Sequence, residues 1–375
     1  MSGGSSALPV MAVLPQLLAA LTLRSNAVLI APPGAGKTTC VAPAMLDEPW
    51  ATGAIWLLSP RRLAARAAAE HMAEQLGEKV GARIGYATRL DSKVSRDTRL
   101  LVMTHGLFRN RLLADPELHG VSAVLFDEVH ERSIDSDFAL ALAIDAQQGL
   151  RPDLRLLAMS ATLDGSRFAA LLGGAPVIES KGRSHPLSLH YLGRRAEQPL
   201  ADAVVAAVRQ ALNDGVAGDI LAFLPGAGDI DRAAERLAAA GWPLAIHRLH
   251  GQIDPALQRA ALTRDRDGRR KVILATSIAE TSLTIDGVDT VIDAGMARRP
   301  RLDRDAGMTR LVTERASQAA ATQRAGRAAR QGPGRAYRLW EESATGGMPP
   351  FDPPEIHESD LMPVVLDCAS WGIID

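Results

Sequence analysis

The sequence predicts an α/β protein made of two parallel-sheet units in tandem. Three observations predict it. Strand-like apolar runs alternate with Ala-rich helical patterns along most of the 375 residues. The alternation restarts after Lys181–Pro186. A Gly-rich loop, Ala31–Thr38, stands between the first strand-like run and a helical stretch. Alternation of this kind builds parallel sheet with helices on its faces.

In the first half the predicted strands are Ala27–Ala31, Ala54–Ser59, Leu100–Thr104, Ala123–Phe126 and Arg155–Met159, with an amphipathic helix over Leu63–Leu76. Gly and Pro in Gly182–Pro186 mark a linker. In the second half the strands are Leu187–Leu192, Asp219–Leu224, Leu244–Leu249, Lys271–Ala275 and Asp289–Ile292. Arg301–Asp303 and Thr309–Val312 flank Asp305-Ala306-Gly307 and read as a β-hairpin. Gly346–Pro350 and Pro353-Pro354 break regular structure, and one helix follows over Ser359–Trp371. The expected divisions are 1–182, 183–343 and a third segment, 344–375. That segment reads as the start of an accessory domain in a fragment of a longer chain.

Composition excludes several classes. Lys and Arg number 42 against 43 Asp and Glu, a formal net charge of −1. This rules out a uniformly basic coat but not a local basic patch. Cys40 and Cys368 are the two cysteines, too few for a disulfide framework, which predicts a reducing compartment such as the cytoplasm. No apolar run approaches the ~18 residues of a membrane helix. Ala7–Leu23 lacks the basic start of a signal peptide.

The loop Ala31-Pro32-Pro33-Gly34-Ala35-Gly36-Lys37-Thr38 fits GxxxxGK[ST], with Ala31 at the first Gly position. Glycines let backbone N–H groups converge on phosphate oxygens, and the helix that follows offers its unsatisfied N–H groups and positive dipole end. Lys37 then reaches the outer phosphates, and Thr38 is a Mg²⁺ ligand. Pro33, Gly34, Ala35, Gly36, Lys37, Thr38 and Thr39 are the nucleotide-binding candidates. Pro43 limits or kinks the helix.

Val121–Phe126 ends in Asp127-Glu128-Val129-His130. Carboxylates at the carboxyl end of a parallel strand stand where open α/β sheets bind ligands. Asp127 is expected to anchor Mg²⁺ with Thr38, and Glu128 to position or deprotonate the attacking water near the metal. His130 is a candidate coupler to the second unit. Asp135 and Asp137 read as helix-start charges, and Met159 and Trp242 as core.

Asp-Glu-x-His followed by Ser160-Ala161-Thr162 resembles the DEAH-box group of superfamily 2 helicases. Other motifs of that group follow in order. They are Ser59-Pro60-Arg61-Arg62-Leu63-Ala64-Ala65, Thr104-His105-Gly106, Phe223-Leu224-Pro225-Gly226 and Leu249-His250-Gly251. Then come the run from Ala275 to Gly287 and Gln323-Arg324-Ala325-Gly326-Arg327-Ala328-Ala329-Arg330. His105 stands where such families commonly carry an acid, and Ala329 replaces a Gly. The resemblance covers about residues 14 to 342, and APPGAGKTT, DEVHERS and MSATLDG look most like the bacterial HrpB-type branch.

The resemblance implies two RecA-like domains that close on Mg-ATP, 3′-to-5′ translocation on a single RNA strand and duplex unwinding. It makes Gln323 the residue that orients water and Arg327 and Arg330 arginine fingers, a device that supplies roughly 10³–10⁵ in rate. Arg327 and Arg330 are three apart and would share a helix face. Asp286 joins the nucleotide-binding set. Arg335 and Arg338 read as solvated charges. Residues 298–338 hold eleven Arg and three acids, a basic stretch that calls for an anionic partner such as ATP or nucleic acid.

Aromatic residues are only 4% of the chain, which disfavours base stacking. Backbone tracking by Arg61, Arg62, Thr104, His250, Gly251, Thr276, Thr281 and Ser282 fits better, without sequence readout. RNA is the expected strand by resemblance, with DNA left open. A translocase that remodels complexes without unwinding is the alternative reading.

Overall fold

In the computed structural model the described residues are 8–161, 165–182, 185–195, 197–265, 267–280 and 285–373. Thr162, Thr281 and Ser282, singled out above, lie outside them. The chain divides into two compact units: residues 1–183 with 354–375, and residues 184–353. The stretch from residue 344, set apart in the sequence, is therefore shared between them.

In the first unit the elements are α1 (Leu14–Leu23), β1 (Asn26–Ile30), α2 (Lys37–Ala44), β2 (Ala54–Ser59), α3 (Arg62–Gln75), β3 (Ile84–Ala87), β4 (Ser92–Lys93) and β5 (Leu100–Thr104). There follow α4 (His105–Ala114), β6 (Val121–Phe126), α5 (Ile134–Gly149), β7 (Arg155–Ser160), α6 (Gly165–Leu171) and β8 (Val177–Glu179). The eight strands form one sheet in the order β4-β3-β5-β2-β6-β7-β1-β8. All pairings are parallel except that of β3 with β4.

Apolar side chains on both faces bury this sheet, as parallel sheets require. All six residues of β6 are buried. One core layer joins β1 and β2 to α1, α2 and α3, and the other joins β6 and β7 to α4 and α5. Helix α3 meets the sheet through Ala64, Ala65, Ala68, Ala69 and Ala73, whose small side chains permit close approach. Met159 is fully buried, as its position in the apolar run predicts.

The second unit contains β9 (Leu187–Tyr191), α7 (Leu200–Asn213), β10 (Asp219–Phe223), α8 (Ala227–Ala239), β11 (Leu244–Leu249), α9 (Pro255–Leu262) and β12 (Arg270–Ala275). It continues with β13 (Val288–Asp293), β14 (Met296–Asp303), β15 (Met308–Arg315), α10 (Gln318–Gly326) and β16 (Gly334–Arg338). Six strands form a parallel sheet in the order β11-β12-β10-β13-β16-β9. Strands β14 and β15 pair as a separate antiparallel hairpin from Met296↔Arg315 to Asp303↔Met308. Gly307 takes φ +62° in its turn, where glycine costs nothing. The hairpin arms are longer than the short runs Arg301–Asp303 and Thr309–Val312. Trp242 packs on the core of this unit, with the Arg209 guanidinium over its ring.

Two expectations about arginines are corrected here. Arg338 is 6% exposed, donates to Tyr191 Oη at 2.6 Å and lies against the rings of Tyr191 and Trp340. Arg335 donates to the carbonyl of Asp214 at 2.6 Å. Both Arg side chains extend from β16 to hold neighbouring segments, so neither is a free surface charge. Arg327 and Arg330 do not share a helix face either. Helix α10 stops at Gly326, Arg327 is its C-cap, and Arg330 follows in the turn beyond.

Helix α11 (Met362–Trp371) packs on α4 of the first unit. Trp371 Nε1 donates to Asp145 at 2.7 Å, and Asp367 pairs with Arg109 at 3.2 Å. Among the described residues no helix is long and apolar enough to cross a membrane.

Candidate nucleotide and nucleic-acid sites

Strand β1 delivers the phosphate loop at the carboxyl edge of the first sheet. Gly34 and Gly36 adopt φ +84° and +90°, angles that admit glycine and strain other residues. Ala31 and Ala329 are not among the residues with positive φ, which explains why alanine serves where the motifs carry glycine. A 3-10 turn over Pro9–Ala12 braces the loop from behind. The Val10 N–H donates to Ala35 O at 3.0 Å, and the Val10 side chain is fully buried. A side chain at Gly36 would meet Leu8 Cδ1 at 2.9 Å and Cys40 Sγ at 3.1 Å. Pro33 and Thr39 stand in the same loop and helix, and Pro43 is accommodated in the last turn of α2.

Two strands away, β6 delivers the acidic box to the same edge. Lys37 Nζ lies 3.1 Å from Glu128 Oε1 and 3.0 Å from Oε2. Thr38 Oγ1 donates to Asp127 Oδ2 at 2.6 Å, and Asp127 Oδ1 accepts from the Glu128 N–H at 3.0 Å. Asp127 is wholly buried. Burial first, and the Glu128 carboxylate second, push its carboxyl up to about 7, with Lys37 and Thr38 pulling the other way. Oxygen donors converging in this way suit a hard divalent cation. Among the described residues no group of three or more His, Cys, Asp and Glu is arranged to hold a metal ion.

The His130 side chain is buried, and that burial lowers its pKa below the ordinary value. Its Nδ1 accepts from the Ala161 N–H at 3.2 Å, so the proton of the neutral ring sits on Nε2. Within its unit, then, His130 ties the acidic box to Ser160-Ala161. Asp135 and Asp137 open α5 behind the Ser133 N-cap, in keeping with helix-start charges. His105 is buried and stacked on Phe126, with ring centroids 6.5 Å apart, and burial lowers its pKa to about 4.

In the first unit Arg61, Arg62 and Thr104 stand at the carboxyl edge that carries the nucleotide groups, whereas in the second His250, Gly251 and Thr276 follow strands and Asp286 and Arg330 precede them. Arg61 caps α3 and Arg62 begins it, just past β2. Thr104 ends β5 and is the N-cap of α4, yet its hydroxyl makes no capping bond. In the second unit His250 and Gly251 follow β11, and Thr276 follows β12 at the start of a 3-10 turn, again without a side-chain cap. Capping is the usual employment of a Thr at such positions, and these two hydroxyls are not spent on it.

Gln323 is half-buried on α10. Arg327 donates to Glu280 O at 2.9 Å. Asp286 is exposed and accepts from Gln331 at 2.9 Å. Three residues that organise this region were not singled out from sequence. Glu280 and Asp293 hold the 2%-exposed guanidinium of Arg324 at 2.6 and 2.8 Å. Burial alone would lower Arg324, but Asp293 and Glu280 outweigh it and raise its pKa, keeping it charged. Glu131 faces Arg61 at 3.6 Å. Asp293, like Asp127, stands at the end of an apolar strand, which was the available signal.

Part of the basic stretch is neutralised from within the second unit. Arg299 pairs with Glu314 at 3.2 Å and with Asp352, Arg301 with Glu314 at 2.7 Å, and Arg310 with Asp303 at 3.3 Å.

Two RecA-like parallel sheets, one carrying a phosphate loop locked to an acidic pair, define a P-loop NTPase. Residues 12–171 match the DEAD/DEAH box helicase family, and residues 203–332 match the helicase conserved C-terminal domain. The chain belongs to the DEAH-box helicases. It is 46% identical over 371 residues to the ATP-dependent RNA helicase HrpB of Escherichia coli K12, covering 99% of this chain and 46% of that protein. It is 37% identical to the pre-mRNA-splicing factor ATP-dependent RNA helicase prp22 of Schizosaccharomyces pombe, over 98% of this chain and 32% of that protein. The crystal structure of the E. coli DEAH/RHA helicase HrpB superposes with a TM-score of 0.93 at 46% identity, covering 98% of this chain and 47% of that one. The chain thus spans less than half the length of these relatives.

Proposed function

We propose that the chain is the catalytic core of an ATP-dependent RNA helicase, hydrolysing ATP to ADP and phosphate to move along single-stranded RNA. The observation that carries this reading is the direct pairing of the phosphate loop with the acidic box: Lys37 with Glu128, and Thr38 with Asp127. Thr38 and Asp127 would hold Mg²⁺, with Glu128 close by, and the bound ion would neutralise charge on the phosphates. Lys37 binds the outer phosphates. Glu128, released from Lys37 by the incoming triphosphate, orients and deprotonates the water. We assign Gln323 to water positioning, Arg327 and Arg330 to neutralising the transferring phosphate, and Asp286 to the nucleotide. Pro33, Gly34, Ala35, Gly36 and Thr39 complete the phosphate cradle.

Arg61, Arg62, Thr104, His250, Gly251 and Thr276 are assigned to the strand, with Thr281 and Ser282 by the resemblance alone. Their small polar groups suit phosphate and sugar rather than base edges. The divisions at 182 and 343 are proposed as functional boundaries, and the cytoplasm as the site of action. The test is phosphate release measured against single-stranded RNA, single-stranded DNA and no nucleic acid, beside displacement of a strand from a duplex with a 3′ overhang. RNA-stimulated release supports the reading, and indifference to nucleic acid overturns it. Stimulated release without displacement would mark a translocase.

A further inference from the structure

We propose that Glu131 links nucleic-acid occupancy to the hydrolytic residues, by competing with an RNA phosphate for Arg61. The inference rests on the assignment of Arg61 to the strand and of Glu128 to the water.

The sheet order places β2 beside β6, so the ends of these strands are neighbours. The Asp127 N–H donates to Leu58 O at 3.0 Å and ties them together. Three residues beyond Leu58 is Arg61, and four beyond Asp127 is Glu131. Their side chains meet at 3.6 Å, 22% and 19% exposed. A pair this sheltered is weakly screened by salt, yet its distance exceeds that of a hydrogen bond. A phosphate can take two parallel N–H donors from the same guanidinium at shorter range. RNA is therefore a fitting competitor for Arg61.

Loosening the Glu131–Arg61 contact has consequences because of the backbone Glu131 sits on. Glu128 and Arg132 take φ +56° and +51°, and both flank the 3-10 turn Val129–Glu131. Left-handed backbone in such residues persists only where surroundings over-determine it. Here each neighbour is pinned. Glu128 is held by Lys37, His130 by the Ala161 N–H, and Arg132 by Asp137 at 2.8 Å. The carbonyl of Arg132 also accepts from Glu355 at 3.1 Å. The Glu131–Arg61 contact is longer than any of these, and it is made by a strand-contacting residue. RNA on Arg61 removes that pin and leaves the turn freer to deliver Glu128 from Lys37 to the water. Glu131 is thus a positioning residue that sets how much RNA hydrolysis demands.

The experiment measures phosphate release against the concentration of a single-stranded oligouridylate. Glu131→Gln keeps the shape and removes the competing charge. Removing a partly sheltered pair of this kind is expected to bring half-maximal stimulation at roughly 1.4- to five-fold less RNA. The RNA-free rate is expected to rise towards the stimulated one. Glu131→Asp, too short to reach Arg61, is expected to shift half-saturation the same way and stands in should the first variant not fold. In an Arg61→Gln background the Glu131→Gln shift is expected to vanish, which a merely structural Glu131 would not produce. Unchanged half-saturation, or a shift that survives Arg61→Gln, overturns the inference while RNA still stimulates the unaltered chain. If RNA stimulates nothing, the functional reading falls and takes this inference with it.

Discussion

The Lys37 ammonium bridges both oxygens of the Glu128 carboxylate, at 3.1 and 3.0 Å, with the two side chains only 5% and 4% exposed. In this arrangement each group neutralises the other. On the proposed reading, the triphosphate takes Lys37 and so frees Glu128 for the water. Lys37→Ala and Glu128→Gln are each expected to abolish RNA-stimulated phosphate release. They differ in stability. Lys37→Ala leaves a buried carboxylate without its cation, which costs on the order of 3 kcal/mol, and adding Glu128→Gln should recover much of that. Urea unfolding of the single and double variants reads this directly. A double variant no more stable than Lys37→Ala would show that the pair is not what the first unit depends on.

Arg324 and Arg330 lie six residues apart in one motif and are expected to respond in opposite ways. Arg324 is buried between Asp293 and Glu280, so Arg324→Gln strands two carboxylates and should destabilise the second unit by about 3–5 kcal/mol. Arg330 is half-buried beyond the end of α10. Arg330→Gln should leave thermal unfolding nearly unchanged and lower kcat by roughly 10³ or more, the scale of a lost arginine finger. Calorimetry and steady-state phosphate release together separate the two roles. An Arg330 variant with full turnover would remove it from the catalytic set.

The phosphate loop can be tested through its backbone. Gly36 combines φ +90° with surroundings in which an added Cβ would lie 2.9 Å from Leu8 and 3.1 Å from Cys40. Gly36→Ala should cost about 1–2 kcal/mol for the left-handed angle alone, and it should displace Leu8 from behind the loop. ATP binding, followed by displacement of a fluorescent nucleotide, is expected to weaken with it. Gly346→Ala is the control: nothing lies within 4 Å of its added carbon, and its φ is not positive. Stability there should move by less than about 0.5 kcal/mol. Equal effects at the two positions would mean that loop geometry is not the constraint.

Much of the first site was legible in sequence because residue type and strand position coincide there. A buried strand reads as an apolar run, and the residue after it stands at the ligand edge. That logic led to Lys37, Thr38, Asp127 and Glu128, while Arg61 and Thr104 were singled out by the resemblance to helicase motifs. It failed where pairing is non-local. Strand β16 carries Arg335 and Arg338 in five residues, so it reads as polar, yet it is an interior strand between β13 and β9, and both arginines reach across to Asp214 and Tyr191. The partners of Arg324 lie 44 and 31 residues away in sequence, which no local pattern reveals. The short strands β3, β4 and β8 have too few residues to show a period.

His105 gives a pH dependence of definite sign. Burial lowers its pKa from 6.5 to about 4 while the ring stacks on Phe126. The folded chain therefore refuses a proton that the unfolded chain accepts. Above pH 6.5 this costs nothing, since both states hold a neutral ring. As the pH falls from 6.5 towards 4, stability is lost at about 1.4 kcal/mol per pH unit, and below that range the loss stops growing. His105→Phe keeps a ring against Phe126 and removes the titration. Between pH 7 and pH 5 the unaltered chain should lose about 2 kcal/mol more than this variant, measured by urea unfolding at the two pH values. Equal losses would place the acid sensitivity elsewhere and free His105 of it.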